Sequence, residues 1–201
     1  MSHPRRRLSG VTNASVALPR FAVVDIETSG LSTRRHRILQ IGLVTVVGGQ
    51  IADQWSTLVR LRWPWQRVGP RKVHGLTRGQ LRDAPTLRTA LTELAGRLDG
   101  AVFTAHNADF DAAFIERAAR REHVALRLGP QLCTLRLSRQ LDPDRQLSHR
   151  LGDICTRYGV SLDRPHDALN DALAAASVLP HLLAEHGIDS GEALAAVYVS
   201  R

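Results

Sequence analysis

Two carboxylates stand at the end of an apolar run near the start of the chain. Phe21 to Val24 leads directly into Asp25, Ile26 and Glu27, and Thr28 to Gly30 then breaks the pattern. Side chains alternate along a strand, so Asp25 and Glu27 share one face. Two like charges on an apolar element repel each other and lose hydration unless a cation offsets them. The pair predicts a site for Mg²⁺ or Mn²⁺; the alternative is a strand that ends in solvent.

A second junction of this kind lies in the middle of the chain. The apolar segment Ala101 to Ala105 predicts a short buried strand, and it runs into His106 and Asn107. The helix predicted after it carries two acids in its first turn, Asp109 and Asp111. Another strand end therefore brings a carboxylate to the edge of the sheet.

A histidine precedes a third acid near the end of the chain. His166 lies five residues before Asp171, and on one continuous helix that spacing turns the two side chains ~140° apart at 3.6 residues per turn. We therefore place His166 on the loop or first turn before the helix, and Pro165 is typical of a helix start. Histidine exchanges protons near neutral pH, which makes His166 a candidate general base. The alternative is a capping or surface histidine.

The composition indicates one globular domain with a basic surface. The chain has 201 residues, 43% of them hydrophobic and 23% charged, which suits a single core. Its net charge of +8 is almost entirely arginine, since Lys72 is the only lysine; this favours a polyanionic partner, although arginine enrichment can also reflect the base composition of a genome. Residues 1–19 predict a flexible basic N-terminal arm, and 20–201 the domain.

Cysteine usage and hydropathy bear on the compartment. Cys133 and Cys155 show neither metal spacing nor a disulfide framework, which favours a reducing cytoplasm. No apolar run approaches the ~18 residues of a membrane span, so no membrane association is expected.

The order of the elements predicts an α/β fold. Three apolar segments joined by short turns predict an antiparallel meander, with strands over 21–27, 37–47 and 50–61. Leu132 to Thr134 begins a last short strand or a helix cap. Short helices are predicted after Thr77 and from Gly191. Apolar residues at helical spacing predict longer helices, over 87–99, from the 106–111 segment to His123, and over 147–158 and 167–185.

The chemistry-bearing segments together resemble the DEDD-type 3′ to 5′ exonucleases of the histidine subclass, the family that includes the proofreading epsilon subunit of bacterial DNA polymerase III. The first motif is Asp25 to Leu31, the second His106 to Asp111, and the third His166 with Asp171. The family pattern places the acid directly after phenylalanine, which selects Asp111 over Asp109. Further matches are Val73-His74-Gly75-Leu76-Thr77, Ala84-Pro85 and Cys133-Thr134-Leu135.

The resemblance implies a ribonuclease H-like fold, with three antiparallel strands continued by two parallel ones and helices on both faces. It also implies two divalent cations, Mg²⁺ or Mn²⁺. Asp25 would bridge them, Glu27 and Asp171 would hold the ion that activates water, and Asp111 would lie near the other ion. Two such ions ~3.5–4 Å apart activate the water and stabilise the leaving oxygen in phosphodiester hydrolysis.

The same resemblance assigns contacts with the terminal nucleotide to Thr28, Leu31, His74, Asn107 and Phe110. For Phe110 the alternative is a core position at the start of a helix. The predicted function is a metal-dependent 3′ to 5′ exonuclease acting on single-stranded ends, with DNA favoured. An RNA-trimming enzyme and a non-catalytic module that binds nucleic acid or a polymerase are the alternatives, and a DNA polymerase is a further candidate partner. Trp63 and Trp65 flank Pro64; they are interpreted as residues that pin a loop, outside the site, and the alternative is a stacking wall.

Overall fold

A five-stranded mixed sheet forms the centre of the protein, whose computed structural model describes residues 18–199. The strands are β1 (Phe21–Thr28), β2 (Ile38–Val47), β3 (Gln50–Leu58), β4 (Val102–Ala105) and β5 (Gln131–Cys133). Their order across the sheet is β3-β2-β1-β4-β5. β1, β2 and β3 pair antiparallel, whereas β4 and β5 continue the sheet in parallel with β1. The predicted meander and mixed sheet are confirmed.

The central strand is apolar on both faces because helices cover both sides of the sheet. Ala22, Val24 and Ile26 pack against one layer of helices, whereas Phe21 and Val23 pack against the other. The first layer contains α3 (Leu87–Leu98) and α4 (Ala108–Glu122). The second contains α5 (Thr134–Gln140), α6 (Leu151–Tyr158), α7 (Ala168–Glu185) and α8 (Gly191–Ala195). Two short helices, α1 (Arg71–His74) and α2 (Arg78–Arg82), precede α3.

Side-chain caps start α2, α3 and α7 where the sequence predicts these helices. Thr77 accepts a hydrogen bond from the Gln80 main-chain N–H and forms a capping box with that residue. Thr86 caps α3, and Asp167 caps α7. The segment around Cys133 satisfies both alternatives, since Cys133 ends β5 and is also the N-cap of α5.

One predicted helix start is wrong. The sequence predicts a helix from Leu147 to Tyr158, but α6 begins at Leu151. The Asp142 carboxylate accepts hydrogen bonds from the main-chain N–H groups of Gln146 at 3.0 Å and Leu147 at 2.9 Å. These bonds hold the segment in a loop, because a side chain that satisfies main-chain donors competes with helix formation.

The ends of the chain bear on two other predictions. The predicted N-terminal arm lies almost wholly in residues 1–17, outside the described residues. Leu18, at the start of the described part, packs against the apolar cluster that contains Phe21. Within residues 18–199, no helix has both the length and the apolar character needed to cross a membrane.

A glycine in β2 lets the first turn of α7 approach the sheet. A Cβ atom on Gly42 would lie 2.2 Å from the Ala168 carbonyl oxygen and 2.5 Å from the Leu169 nitrogen. Gly42 pairs with Asp25 across the β1–β2 ladder. Its missing side chain therefore sets how close the helix start lies to the acidic end of β1.

We expect Gly42→Ala to lower the free energy of unfolding by ~1–3 kcal/mol, because the added methyl meets main-chain atoms that cannot turn aside. Gly96→Ala is the matched control, since Gly96 lies inside α3 and a Cβ there would meet nothing within 4 Å. That control should raise the free energy of unfolding by ~0.5–1 kcal/mol. Urea denaturation measures both changes, and equal midpoints for Gly42→Ala and the unchanged protein would contradict the close approach.

Candidate active site

A cleft of about 410 Å³ opens at the carboxyl end of β1, the edge where ligands bind in open α/β sheets. Eight of the ten residues predicted for the site line it: Asp25, Glu27, His166, Asp171, Thr28, Leu31, His74 and Phe110. Asp111 and Asn107 are not among the lining residues. Asp111 is only 3% exposed, so it lies beneath the surface of the site.

Asp25 and Glu27 follow the alternation that the sequence predicts for a strand. Their apolar neighbours on β1, Val24 and Ile26, pack into the layer that contains α3 and α4. The two acids therefore face the α7 side of the sheet, opposite Gly42 and Gln40 of β2. The glycine leaves room for the start of α7 to bring Asp171 to the same place.

Burial and mutual repulsion raise the pKa values of these carboxyls. Burial raises the pKa of Glu27 to about 8, and the charge of Asp171 adds to the effect. The pKa of Asp25 is raised well above its usual range by burial, then by the charges of Asp111, Asp171 and Glu27. Burial also raises the pKa of Asp171. These groups are close enough to oppose one another's ionisation, as clustered carboxylates do when no cation lies between them.

Asp111 reaches the group from α4. Burial raises the pKa of its carboxyl, and the charge of Glu27 raises it further, against the opposing effect of the main-chain N–H groups of Asp111 and Ile26. Asp109 lies two residues earlier on the exposed side of the helix. The structure therefore brings Asp111 rather than Asp109 to the acids of β1.

The loop before α7 brings a histidine to the mouth of the cleft. His166 is exposed, has φ +66°, and donates its main-chain N–H to Asp171 Oδ2 at 3.0 Å. Ligand atoms of Glu27, His166 and Asp171 all lie within 4.8 Å of one another. Asp171 Oδ1 is buried and has no hydrogen-bond partner within residues 18–199. A buried, unpaired carboxylate oxygen beside other raised-pKa carboxyls is chemically suited to a hard divalent cation.

Gln40 is a positioning residue that the sequence analysis missed. Its side-chain amide donates to Asp167 Oδ2 at 3.2 Å, and its carbonyl oxygen accepts from the Ala168 main-chain N–H at 3.3 Å. Asp167 also accepts from the Asn170 N–H, so it caps α7. The signal was available, because Gln40 is the one amide side chain inside the largely apolar run of β2.

The residues predicted to contact the nucleotide differ in their exposure and in the contacts that they already make. Leu31 is 84% exposed at the cleft, and Phe110 lines it while packing against Phe114 at a centroid distance of 5.0 Å. The Thr28 hydroxyl donates to the Gly30 carbonyl at 3.0 Å. Asn107 is exposed, has φ +73°, and makes no capping bond with its side chain.

His74 is buried, and both of its ring nitrogens are engaged. Nδ1 accepts the Leu76 main-chain N–H at 3.0 Å, so Nε2 carries the proton and donates to the Val68 carbonyl at 3.2 Å. Burial lowers the pKa of this imidazole, although the Val68 carbonyl opposes the effect. His74 therefore joins the loop at Val68 to the cleft wall, and its contact with a sugar stays a prediction.

His106, the first residue of the second motif, has a structural role. Burial lowers the pKa of His106 to about 4, so the ring is neutral near pH 7. Its Nδ1 lies 3.0 Å from Thr134 Oγ1 at the start of α5. This contact joins the end of β4 to α5.

A serine, a histidine and an aspartate form a separate group. The His149 ring lies 2.9 Å from Ser138 Oγ and 3.1 Å from the Asp142 carboxylate. Ser138 is fully buried, and Asp142 already accepts two main-chain N–H groups. The group has the residue types of a hydrolase triad, but its serine is closed to a substrate and its bonds stabilise the loop before α6.

Comparisons with known proteins agree with this architecture. A family model described as an exonuclease of the RNase T type matches residues 22–179. A Mycobacterium tuberculosis protein named as a bifunctional exonuclease/endonuclease is 35% identical over 176 residues, covering 83% of this chain and 27% of the relative. A PolC-type DNA polymerase III from Caldanaerobacter subterraneus subsp. tengcongensis is 33% identical over 184 residues, covering 90% of this chain and 13% of the relative.

A solved structure of exonuclease X, in complex with 5′-overhanging duplex DNA, superposes with a TM-score of 0.66. It is 25% identical to this chain, and the match covers 89% of this chain and 98% of that one. The predicted ribonuclease H-like fold is therefore confirmed. This chain spans about a quarter or less of the length of the two sequence relatives. Given the extent of the family match and the shared fold, the chain belongs to the RNase T exonuclease family, in its histidine-containing DEDD class.

Proposed function

We propose that this chain is a metal-dependent exonuclease that removes nucleotides from 3′ ends of single-stranded nucleic acid, with DNA favoured. The supporting observation is the group of mutually repelling carboxyls of Asp25, Glu27, Asp111 and Asp171 beside the exposed His166. A module that only binds nucleic acid gains nothing from four acids facing a polyanion. The acids are useful only when cations turn the site positive.

Two divalent cations, Mg²⁺ or Mn²⁺, fit this donor set. Four carboxylates would hold these cations: Asp25, Glu27, Asp111 and Asp171. The cations would offset the negative charges of the four carboxylates. When bound, such ions supply a nucleophilic water and stabilise the charge of the leaving oxygen. In the structure, the partnerless Oδ1 of Asp171 and the raised pKa of Glu27 are the observations that support this assignment.

His166 would act as the general base. Its main-chain bond to Asp171 fixes the loop, while its side chain stays exposed at the cleft mouth. The imidazole can therefore take a proton from water at the scissile phosphate and release it to solvent. Leu31, Phe110 and Thr28 line the same cleft, and they would position the terminal base and sugar.

The choice of DNA over RNA rests on the relatives. Exonuclease X was solved with a DNA duplex, and the PolC-type relative is a DNA polymerase. Association with a DNA polymerase is a further proposal from the second relative. An RNA-trimming enzyme would use the same acids, so the 2′-hydroxyl is the group on which the two substrates differ.

We expect Asp25→Asn to lower the rate of digestion of a 3′-labelled oligonucleotide in Mg²⁺ about a hundredfold or more, because Asp25 would help to hold the cations, and these would supply several kcal/mol of charge stabilisation. Asp109→Asn is the matched control, since Asp109 is an exposed acid two residues from Asp111, and it should keep its activity. Digestion by Asp25→Asn at the rate of the unchanged protein would contradict the proposed function.

The raised pKa of Glu27 predicts how stability depends on pH. Its carboxyl has a pKa of about 8 in the folded protein, against an ordinary 4.5, so the folded state binds the proton more tightly than the unfolded chain. Metal-free protein should therefore lose stability as pH rises from about 4.5 to about 8. Mn²⁺ should raise the melting temperature more at pH 8 than at pH 5.

Thermal unfolding in EDTA and in Mn²⁺ checks this prediction. Glu27→Gln should flatten the pH dependence of the EDTA curve and reduce the effect of Mn²⁺. Glu93→Gln, at a half-exposed position on α3, should change neither. A melting temperature that Mn²⁺ leaves unchanged at pH 8 would contradict a cation site at Glu27.

Time courses on DNA and RNA oligomers of one sequence test the substrate. We expect the DNA strand to shorten from its 3′ end at least tenfold faster than the RNA strand in Mg²⁺, with EDTA stopping both. Faster RNA digestion would favour the RNA-trimming alternative. Binding of both oligomers without shortening of either would favour the non-catalytic module.

A further inference from the structure

Two exposed tryptophans form a flat surface next to the cleft. The rings of Trp63 and Trp65 stack with centroids 5.1 Å apart and an interplanar angle of 6°. Trp65 is 74% exposed and Trp63 is 43% exposed. The Arg62 guanidinium lies over the Trp63 ring, 4.8 Å from its centroid. We call these three residues, with Arg67 and Arg71, the tryptophan surface.

The exposed stack favours the stacking wall, the alternative to two tryptophans that only pin the loop. Other groups hold the loop: Gln66 exchanges hydrogen bonds with the main chain of Trp63, and Arg78 donates to the Gln66 carbonyl. Val68 is held by His74. The large apolar area that the two rings leave in water is typical of a binding surface.

The acidic and basic side chains of the segment that carries the tryptophans have one sign of charge. Residues 54–82 contain no aspartate or glutamate, whereas they contain seven basic residues: Arg60, Arg62, Arg67, Arg71, Lys72, Arg78 and Arg82. Arg67 and Arg71 are exposed and form no salt bridge within the described residues. Together with Pro64, Trp65 and Gly69, they line an open depression of about 550 Å³. Aromatic rings interleaved with arginines suit unpaired bases and their phosphates.

The tryptophan surface continues directly into the cleft. Gly69 and Arg71 line the depression, and Pro70 between them lines the cleft. A Cβ atom on Gly69 would lie 2.2 Å from the Ser29 carbonyl oxygen, so the loop packs against the end of β1. A nucleic-acid strand that leaves the cleft on this side therefore passes over Trp65.

We propose that the tryptophan surface binds the strand whose 3′ end occupies the cleft, with an unpaired base farther toward the 5′ end stacked on the outer face of Trp65. Arg67 and Arg71 contact the phosphates of that part of the strand. The proposal rests on the proposed function, which supplies the direction of the strand. It gives the enzyme a second contact with single strands that is independent of the cations.

Binding of 5′-fluorescein oligothymidylates in EDTA, where no digestion occurs, tests the stacking contact. Trp65→Ala should raise the Kd of a 16-mer about five- to tenfold, as expected for the loss of one base–aromatic stack, and should raise that of a 3-mer much less. Trp65→Phe should restore most of the affinity. Val47→Ala is the control, because Val47 is an exposed apolar residue at the opposite end of the sheet.

The salt dependence of the same binding tests the arginines. Each of Arg67→Ala and Arg71→Ala should reduce the slope of log K against log salt by ~0.7, the value for one phosphate contact on a single strand. Arg20→Ala is the control, since Arg20 precedes β1 at the far end of the sheet and donates to the Asp99 carbonyl. The slope of that variant should stay that of the unchanged protein.

Two outcomes would overturn the proposal. One is an unchanged Kd for the 16-mer in Trp65→Ala. The other is a loss of affinity in Trp65→Ala that is seen only with duplexes that carry a 5′ overhang. That result would mean that the tryptophans contact the complementary strand and not the strand whose 3′ end occupies the cleft. Failure of the proposed function shows separately, as an absence of digestion by the unchanged protein in Mg²⁺ and Mn²⁺, while the binding comparison still decides the tryptophan surface.

Discussion

The repulsion among carboxyls at the end of β1 is the interaction on which the rest of this structure depends. Asp25, Glu27, Asp111 and Asp171 come from three separate elements, and burial with mutual charge raises the pKa of each. A fold that gathers such groups stores electrostatic free energy that only protons or cations relieve. The surrounding sheet and helices must be stable enough to hold them together.

Three features of the contact between β2 and α7 provide that support. Gly42 removes the side chain that would separate α7 from β2. Gln40 bonds Asp167 and the first main-chain N–H of α7, and Asp167 caps the same helix. The acids of β1 and of α7 are thus held by bonds between β2 and α7, and the exposed His166 occupies the loop that these bonds fix.

The sequence predicts much of this arrangement because its determinants are local. Alternation along β1 places Asp25 and Glu27 on one face, and the five-residue spacing from His166 to Asp171 places His166 on the loop or first turn before α7. The structure has both features, with His166 on the loop. The late start of α6 was missed because it depends on Asp142, a side chain outside the helix. The role of Gln40 was missed although its polar side chain inside an apolar strand was a signal, because its bonds to α7 form only in the folded chain. The stacking of Trp63 on Trp65 could be considered from the sequence, but their exposure could not be derived from it.

Proton release on cation binding tests the central claim most directly. If the carboxyls are held partly protonated by burial and repulsion, divalent cations must displace those protons when they bind. Titration calorimetry with Mn²⁺ at pH 7, in two buffers of different ionisation enthalpy, measures the number released. We predict about one proton or more per protein molecule, and fewer for Glu27→Gln. Binding of Mn²⁺ with no proton release would contradict the claim that these carboxyls are partly protonated before cations bind.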